Sequence, residues 1–332
     1  MRRLNSRFSS GGSTLVVVLW ALSILMLLSL GAAHHVWLEI KLAELQLNRL
    51  KEKRLALAAV ELAKTALPSD LNNPMTLKDP WAQDEALFKN VRLDEGTFSV
   101  VYFRADDGLD PVPVYGLEDE SARLNLNTAA PEALEALIGT ENSGVAQSIV
   151  DWRQLPLQNS QSSAVDDFYA SLPNPYPCKH AAFESLEELF LVKGMTPALY
   201  KSLGSQVTVY ARRVNINTAT PETLSALGFG SSLIEKVVRY RQGPDGMLGT
   251  SDDGVFANVA SLGQNLPNLS PEESSQIAAA APLLSVESHD VRMHVDVWPG
   301  NQAEAGRNPA HYEIVLESEL GGQWFIKHFS RL

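Results

Sequence analysis

The chain opens with polar and basic residues up to position 12, among them Arg2, Arg3 and Arg7, and then carries no charged residue from 13 to 33. At 1.5 Å per residue that run crosses a hydrocarbon core of roughly 30 Å. The arginines stand before it, so the N-terminus is expected in the cytoplasm and the remainder across the membrane. The apolar pattern then continues. Leu38, Leu42, Leu45, Leu55 and Leu62 recur among charged residues as far as Ala66, and Pro68 ends the series. The spacing predicts one helix from 13 to about 66, roughly 80 Å long, with an amphipathic second half that packs on a globular body. A secretory signal peptide is the rival reading. Such peptides carry an apolar region of about 7–15 residues and a small-residue cleavage site, whereas this run is longer and continues as helix.

Beyond Pro68 the pattern changes period. Residues 69–96 are mixed and polar, and 97–103 read as a strand rich in β-branched and aromatic residues. Asp106-Asp107-Gly108-Leu109-Asp110-Pro111 reads as a turn. Three more strand-like runs close the chain at 291–297, 311–316 and 323–329, separated by Pro299-Gly300 and Gly321-Gly322. Strand material therefore flanks a helical block. The expected fold is α+β: a long N-terminal helix on a small antiparallel sheet, with a large duplicated all-helical insertion. The expected segments are 1–12, a basic leader; 13–67, the helix; 68–114, the first part of the body; 115–284, the insertion; and 285–332, the closing strands. The ends of such an insertion must lie close together.

The insertion is a repeat with an offset of about 90 residues, giving units at about 120–205 and 210–284. Leu124-Asn125-Leu126-Asn127-Thr128-Ala129-Ala130-Pro131-Glu132 returns as Val214-Asn215-Ile216-Asn217-Thr218-Ala219-Thr220-Pro221-Glu222. Ile149-Val150-Asp151-Trp152-Arg153-Gln154 answers Val237-Val238-Arg239-Tyr240-Arg241-Gln242. Pro131, Pro197, Pro221 and Pro271 suit the first position of a helix. Thr196, Thr220 and Ser270 precede three of them as caps, Ser270 with Glu273 as a capping box. The paired asparagines are expected to bond local backbone and fix the approach turn.

Composition narrows the partners. The 332 residues are 45% hydrophobic and carry a formal charge of −12. An acidic body disfavours nucleic acid and suits protein surfaces or divalent cations. The single cysteine, Cys178, excludes an intrachain disulfide and is expected to be a partly buried thiol.

A basic leader, a glycine and an uncharged helix form the pattern of type IV prepilins. The run Gly12-Ser13-Thr14-Leu15-Val16-Val17-Val18-Leu19-Trp20 resembles the start of the minor pseudopilin K subunits of bacterial type II secretion. So does the stretch from Leu186-Glu187-Glu188-Leu189 through Lys193-Gly194-Met195-Thr196-Pro197 to Leu199-Tyr200. The resemblance implies cleavage by a prepilin peptidase between Gly12 and Ser13. It also implies a single-pass anchor in the inner membrane with a periplasmic body. Most pilins carry glutamate at the fifth mature position, where it meets the terminal amine of a neighbour. This chain has Val17 there, which suits the leading place in a filament. The implied function is a minor pseudopilin at the pseudopilus tip that initiates or caps assembly and supports export. The implied partners are the I-type and J-type minor pseudopilins, the pseudopilus, the inner-membrane assembly platform and secreted exoproteins.

The family also binds calcium, and two places are acidic enough. One is Asp151 with Asp166 and Asp167, weakened because Arg153 and Gln154 stand where the family usually has further acids. The other is the glycine-rich loop 243–254 with Asp245, Asp252 and Asp253. The repeat also resembles helix–hairpin–helix units, whose hairpin amides grip phosphate, as in membrane-anchored competence DNA receptors. That reading is the alternative, and an ordinary anchored scaffold is a third. No nucleophile elbow, phosphate loop or zinc motif occurs in the sequence, so no catalytic residue is assigned.

Overall fold

The computed structural model describes residues 11–70, 73–104, 112–154, 162–300, 306–319 and 322–332. The arginines of the basic leader and the turn expected at 106–111 lie outside the described residues.

One helix runs from Gly11 to Ala66, 56 residues, or about 84 Å. From Thr14 to Leu50 its side chains are almost all exposed. Packing on the body begins only at Glu52 and follows Leu55, Ala56, Ala59, Val60 and Ala63, a helical i, i+3, i+4 series. This corrects the expected stripe. Leu38, Leu42 and Leu45 remain exposed, Leu55 is buried and Leu62 packs at the edge of the core. The reason is size as well as position. Alanines let the helix backbone approach the sheet closely, and among the described residues no sheet lies beside the leucine segment.

The body sheet is antiparallel. Its central strand, Asp290–Pro299, pairs with Ala310–Glu319, which pairs with Gln323–Arg331. On its other edge it takes Gly96–Val100 and, further along, the two-residue strand Glu118–Asp119. Val291, Met293, Val295 and Val297 alternate onto the face covered by the helix, where they meet Phe98, Val100, Ile314, Leu316 and Trp81 in one core. The strand expected at 97–103 is split. Gly96–Val100 stays in the sheet, while Tyr102–Arg104 turns away to pair with Val112–Val114.

The insertion leaves and rejoins the body at adjacent points, since Glu118 and Asp119 pair with Arg292 and Val291. It contains two cores. The first gathers residues between Leu124 and Val207, with Ala226 from the second unit. The second gathers residues between Val214 and Val286. The insertion is not purely helical. Leu124–Asn125 pairs in parallel with Val207–Thr208, and Val214–Asn215 with Leu284–Ser285. Each unit thus closes on itself through a two-residue ladder, which satisfies backbone groups that the Asn turn would otherwise leave buried and unpaired.

Candidate assembly and ion-binding sites

The repeated asparagines build the same device twice. The Oδ1 of Asn125 accepts from Asn127 N at 2.6 Å, and that of Asn215 from Asn217 N at 2.9 Å. The second asparagine of each pair then clasps a distant phenylalanine through both backbone groups. Asn127 donates to Phe183 O (3.0 Å) and accepts from Phe183 N (2.7 Å). Asn217 does the same with Phe256, at 3.1 and 2.9 Å. The repeat therefore extends to Phe183 and Phe256, which open corresponding helical stretches of the two units.

The arginine that follows Trp152 in the first unit and Tyr240 in the second completes the device. Arg153 donates to the carbonyls of Leu126 and Ala129. Arg241 donates to Ala219 O at 2.6 Å, and Ala219 is the repeat counterpart of Ala129. Burial pulls the Arg241 guanidinium down to about 10, with Asp253 opposing the shift. Both arginines are thus spent on their own units. Arg153 is a strut. The helix starts behave as expected: Thr196, Thr220 and Ser270 accept from Leu199 N, Thr223 N and Glu273 N, and Ser270 with Glu273 forms a reciprocal box.

The hairpin amides that would meet a phosphate are occupied in the second unit. Gly228 N donates to Ser225 O, Phe229 N to Leu224 O, and Gly230 N to the Gln276 side chain. In the first unit the carboxylate of Glu141 lies against Gly139, so an acid stands at the turn. This geometry does not favour nucleic acid.

The acids Glu118, Asp119 and Glu120, which the sequence pattern did not single out, form the junction of insertion and body. Glu120 accepts from Arg292 Nε and from Arg123, each at 2.6 Å, and from the Thr208 hydroxyl. Glu118 accepts from Arg123 at 3.0 Å and faces His294 at 3.2 Å. Burial pushes Glu118 up, but Arg123, His294 and Arg292 outweigh it and hold its carboxyl at about 2. Asp119 points to the second unit. Its Oδ2 accepts from Ser288 and Thr218, each at 2.6 Å, and from Asn215 at 3.2 Å. Burial nonetheless raises its carboxyl, outweighing the hydrogen bonds from Ser288, Thr218, Ser121 and Asn215. The signal was present as three consecutive acids at the entry to a repeat, but, Arg123 apart, the side chains that hold them lie 88–176 residues away.

The expected metal ligands fall into different settings. In the loop 243–254, Asp252 and Asp253 converge on the Thr250 hydroxyl at 2.6 and 3.1 Å. Asp245 instead turns its carboxylate to Met247 N at 2.8 Å. Gly243, Gly246 and Gly249 all adopt positive φ, and the loop lies against the body, with Lys78 donating to Asp253 O. In the other set, Asp151 accepts from Gln147, Asp166 pairs with His180 at 2.8 Å, and Asp167 is exposed. Among the described residues, one set of three ligand groups lies within 4.8 Å of one another, and it is Asp166, Cys178 and His180. Val17 sits on the exposed anchor, 67% accessible. Gly12 and Ser13 fall in the first turns of the long helix.

A single long apolar helix laid at its far end on a small antiparallel sheet is the architecture of a membrane-anchored, pilin-like subunit. Comparison with known proteins points to one kind of such subunit. Residues 115–212 match the family model for protein K of the type II secretion system. The type II secretion system protein K of Klebsiella pneumoniae is 26% identical over 301 residues, covering 87% of this chain and 89% of that protein. A chain in the crystal structure of the GspK–GspI–GspJ complex from the type 2 secretion system of enterotoxigenic Escherichia coli shares the fold. It matches with a TM-score of 0.63 and 18% identity, over 86% of this chain and 97% of that one. Over most of its length the chain is similar to protein K of the type II secretion system.

Proposed function

We propose that this subunit occupies the tip of the pseudopilus, where it starts or caps assembly with the I-type and J-type minor pseudopilins. The observation that carries the reading is Val17. An ordinary subunit needs a carboxylate at that depth to meet the free amine of the subunit ahead, and an unpaired charge there is costly. A leading subunit has no such neighbour. The structural relative was crystallised in a complex with GspI and GspJ, which supports those partners. The exposed leucines from Leu38 to Leu50 give the helix an apolar surface beyond the span for lateral packing. The insertion, fixed to the sheet edge by Asp119 and Glu120, makes a head too wide to be followed by another subunit above it. Prepilin peptidase cleaves between Gly12 and Ser13, the anchor sits in the inner membrane with the body in the periplasm, and the assembly platform and exoproteins are the remaining contacts.

The test is co-purification of the full chain with I-type and J-type subunits, together with mass measurement of the mature N-terminus. Capture of both sisters and an N-terminus at Ser13 are expected. A retained leader with a working peptidase, together with no affinity for either sister, overturns the reading.

Calcium belongs to the same proposal, with the loop 243–254 as its place. Asp252, Asp253 and Thr250 supply converging oxygens of the kind calcium takes, while Asp245 shapes the turn. Calcium is expected to raise the unfolding temperature of the full chain, and the double substitution Asp252→Asn with Asp253→Asn to abolish the rise.

A further inference from the structure

We propose that Asp166, Cys178 and His180 form a binding site for a borderline-soft divalent cation of the zinc type, separate from the loop 243–254. Three observations carry it. The carboxylate oxygen, the thiol sulfur and an imidazole nitrogen lie within 4.8 Å of one another. Tetrahedral zinc with ligand bonds of about 2.0–2.3 Å spaces its ligands roughly 3.3–3.8 Å apart, so small side-chain shifts close the set around an ion.

The second observation is the orientation of the imidazole. His180 Nδ1 lies 3.0 Å from the carbonyl oxygen of Gln154. A carbonyl only accepts, so Nδ1 carries the hydrogen. This backbone contact is the outer partner that fixes the tautomer of a metal-bound histidine. Nε2 then faces Asp166 Oδ1 at 2.8 Å. Two lone pairs cannot share that distance, so a proton stands between them, and a metal ion takes its place once the two atoms part to the ligand spacing.

The third is backbone conformation. His180 has φ of +48°, a left-handed value uncommon outside glycine. The surrounding contacts hold it there and bring the ring between Gln154 and Asp166. Backbone strain of this kind gathers at functional positions.

The donor set selects the ion. Calcium takes about 6–8 oxygens, whereas a thiolate with an imidazole suits zinc, cobalt or copper. Binding converts the Cys178 S–H to an S–metal bond and releases its proton to solvent. Any proton shared by His180 and Asp166 leaves in the same way. Burial raises the Cys178 thiol, so it arrives protonated at neutral pH. Three protein ligands leave the fourth position to water. Such an ion ties the helix Ser162–Ala170 to the strand of chain that leads to the Phe183 clasp.

The probe is cobalt(II), titrated into the full chain in detergent, without a histidine tag and after treatment with a chelator. A thiolate-to-cobalt charge-transfer band that saturates at one equivalent is expected. Zinc should bleach it and excess calcium should not. Cys178→Ser should abolish the band, and His180→Gln should weaken binding at least tenfold. His34 and His35 offer no thiolate and cannot produce the band. Asp166→Asn, on the exposed side, guards against a misfolded cysteine variant, and it should also weaken cobalt binding. Absence of the band in the wild-type chain, a band that survives Cys178→Ser, or unchanged affinity in Asp166→Asn overturns the proposal.

Discussion

The two units of the insertion share a local code and use it for different ends. Both have the asparagine turn, the phenylalanine clasp and the returning arginine. In the second unit the opening asparagine reaches outward: Asn215 donates to Met75 O, Asp119 and Ser288, all of the body or its junction. Its counterpart Asn125 donates to Ala211 O, in the link between the units. The first unit meets the junction through its closing ladder instead, where Thr208 bonds Glu120. The first unit also carries a longer link with its own aromatic cluster of Trp152, Tyr169 and Tyr176. The second has a short glycine-rich loop against the body. Duplication therefore supplied two equal frames, and the outward bonds of one asparagine made the second frame the foundation.

The strongest way to break this contrast is Asp119→Ala. It strands Asn215, Thr218 and Ser288 together, and a loss of about 3 kcal/mol or more is expected in urea unfolding of the full chain in detergent. Hydrogen exchange should place the loosening in the second unit first. A cost confined to the first unit would refute the asymmetry.

The next largest effect concerns pH. The folded carboxyl of Glu118 lies at about 2, below its ordinary 4.5. The unfolded chain therefore binds the proton more readily, and the stability from this group is full above about 4.5 and lost as pH falls toward 2. Glu118→Gln is expected to cost about 2 kcal/mol at pH 7 and much less at pH 3. Asp119 has the opposite sign. Its raised carboxyl makes its charge a burden that grows as pH rises above its ordinary 3.8. Asp119→Asn is expected to flatten that part of the profile. Unfolding curves at several pH values check both slopes.

The clasps rank below these. Asn217→Ala is expected to cost about 2 kcal/mol and Asn127→Ala about 1, because Asn217 is buried and Asn127 is half-buried. Equal costs would mean that burial does not separate the units. Smallest are the caps: Thr196→Ala in the first unit and Thr220→Ala in the second should each cost about 1 kcal/mol, with no contrast between units, since both caps are local.

Much of the molecule was legible because it is local. An uncharged run of membrane length, prolines at helix starts and a recurring Asn-x-Asn-Thr-Ala motif each act within a few residues, so the anchor, the caps and the duplication could be read along the chain. The asparagines were readable as turn formers, but their clasp on Phe183 and Phe256 was not, because it joins positions 56 and 39 residues apart. The leucine stripe misled for a related reason. Periodicity marks an apolar face without saying what covers it, and the sheet meets the helix only from Glu52, through alanines.

The sequence by itself determined the anchor, its lack of a carboxylate at Val17, the twofold repeat and the α+β class, since these follow from hydropathy and short-range backbone preference. Only the tertiary structure decided which acids fix the insertion to the sheet, that Arg153 and Arg241 are internal struts, and that Cys178 stands beside His180 and Asp166. Those outcomes depend on which distant groups share a buried space, where a lone charge or an unpaired donor is too costly to leave.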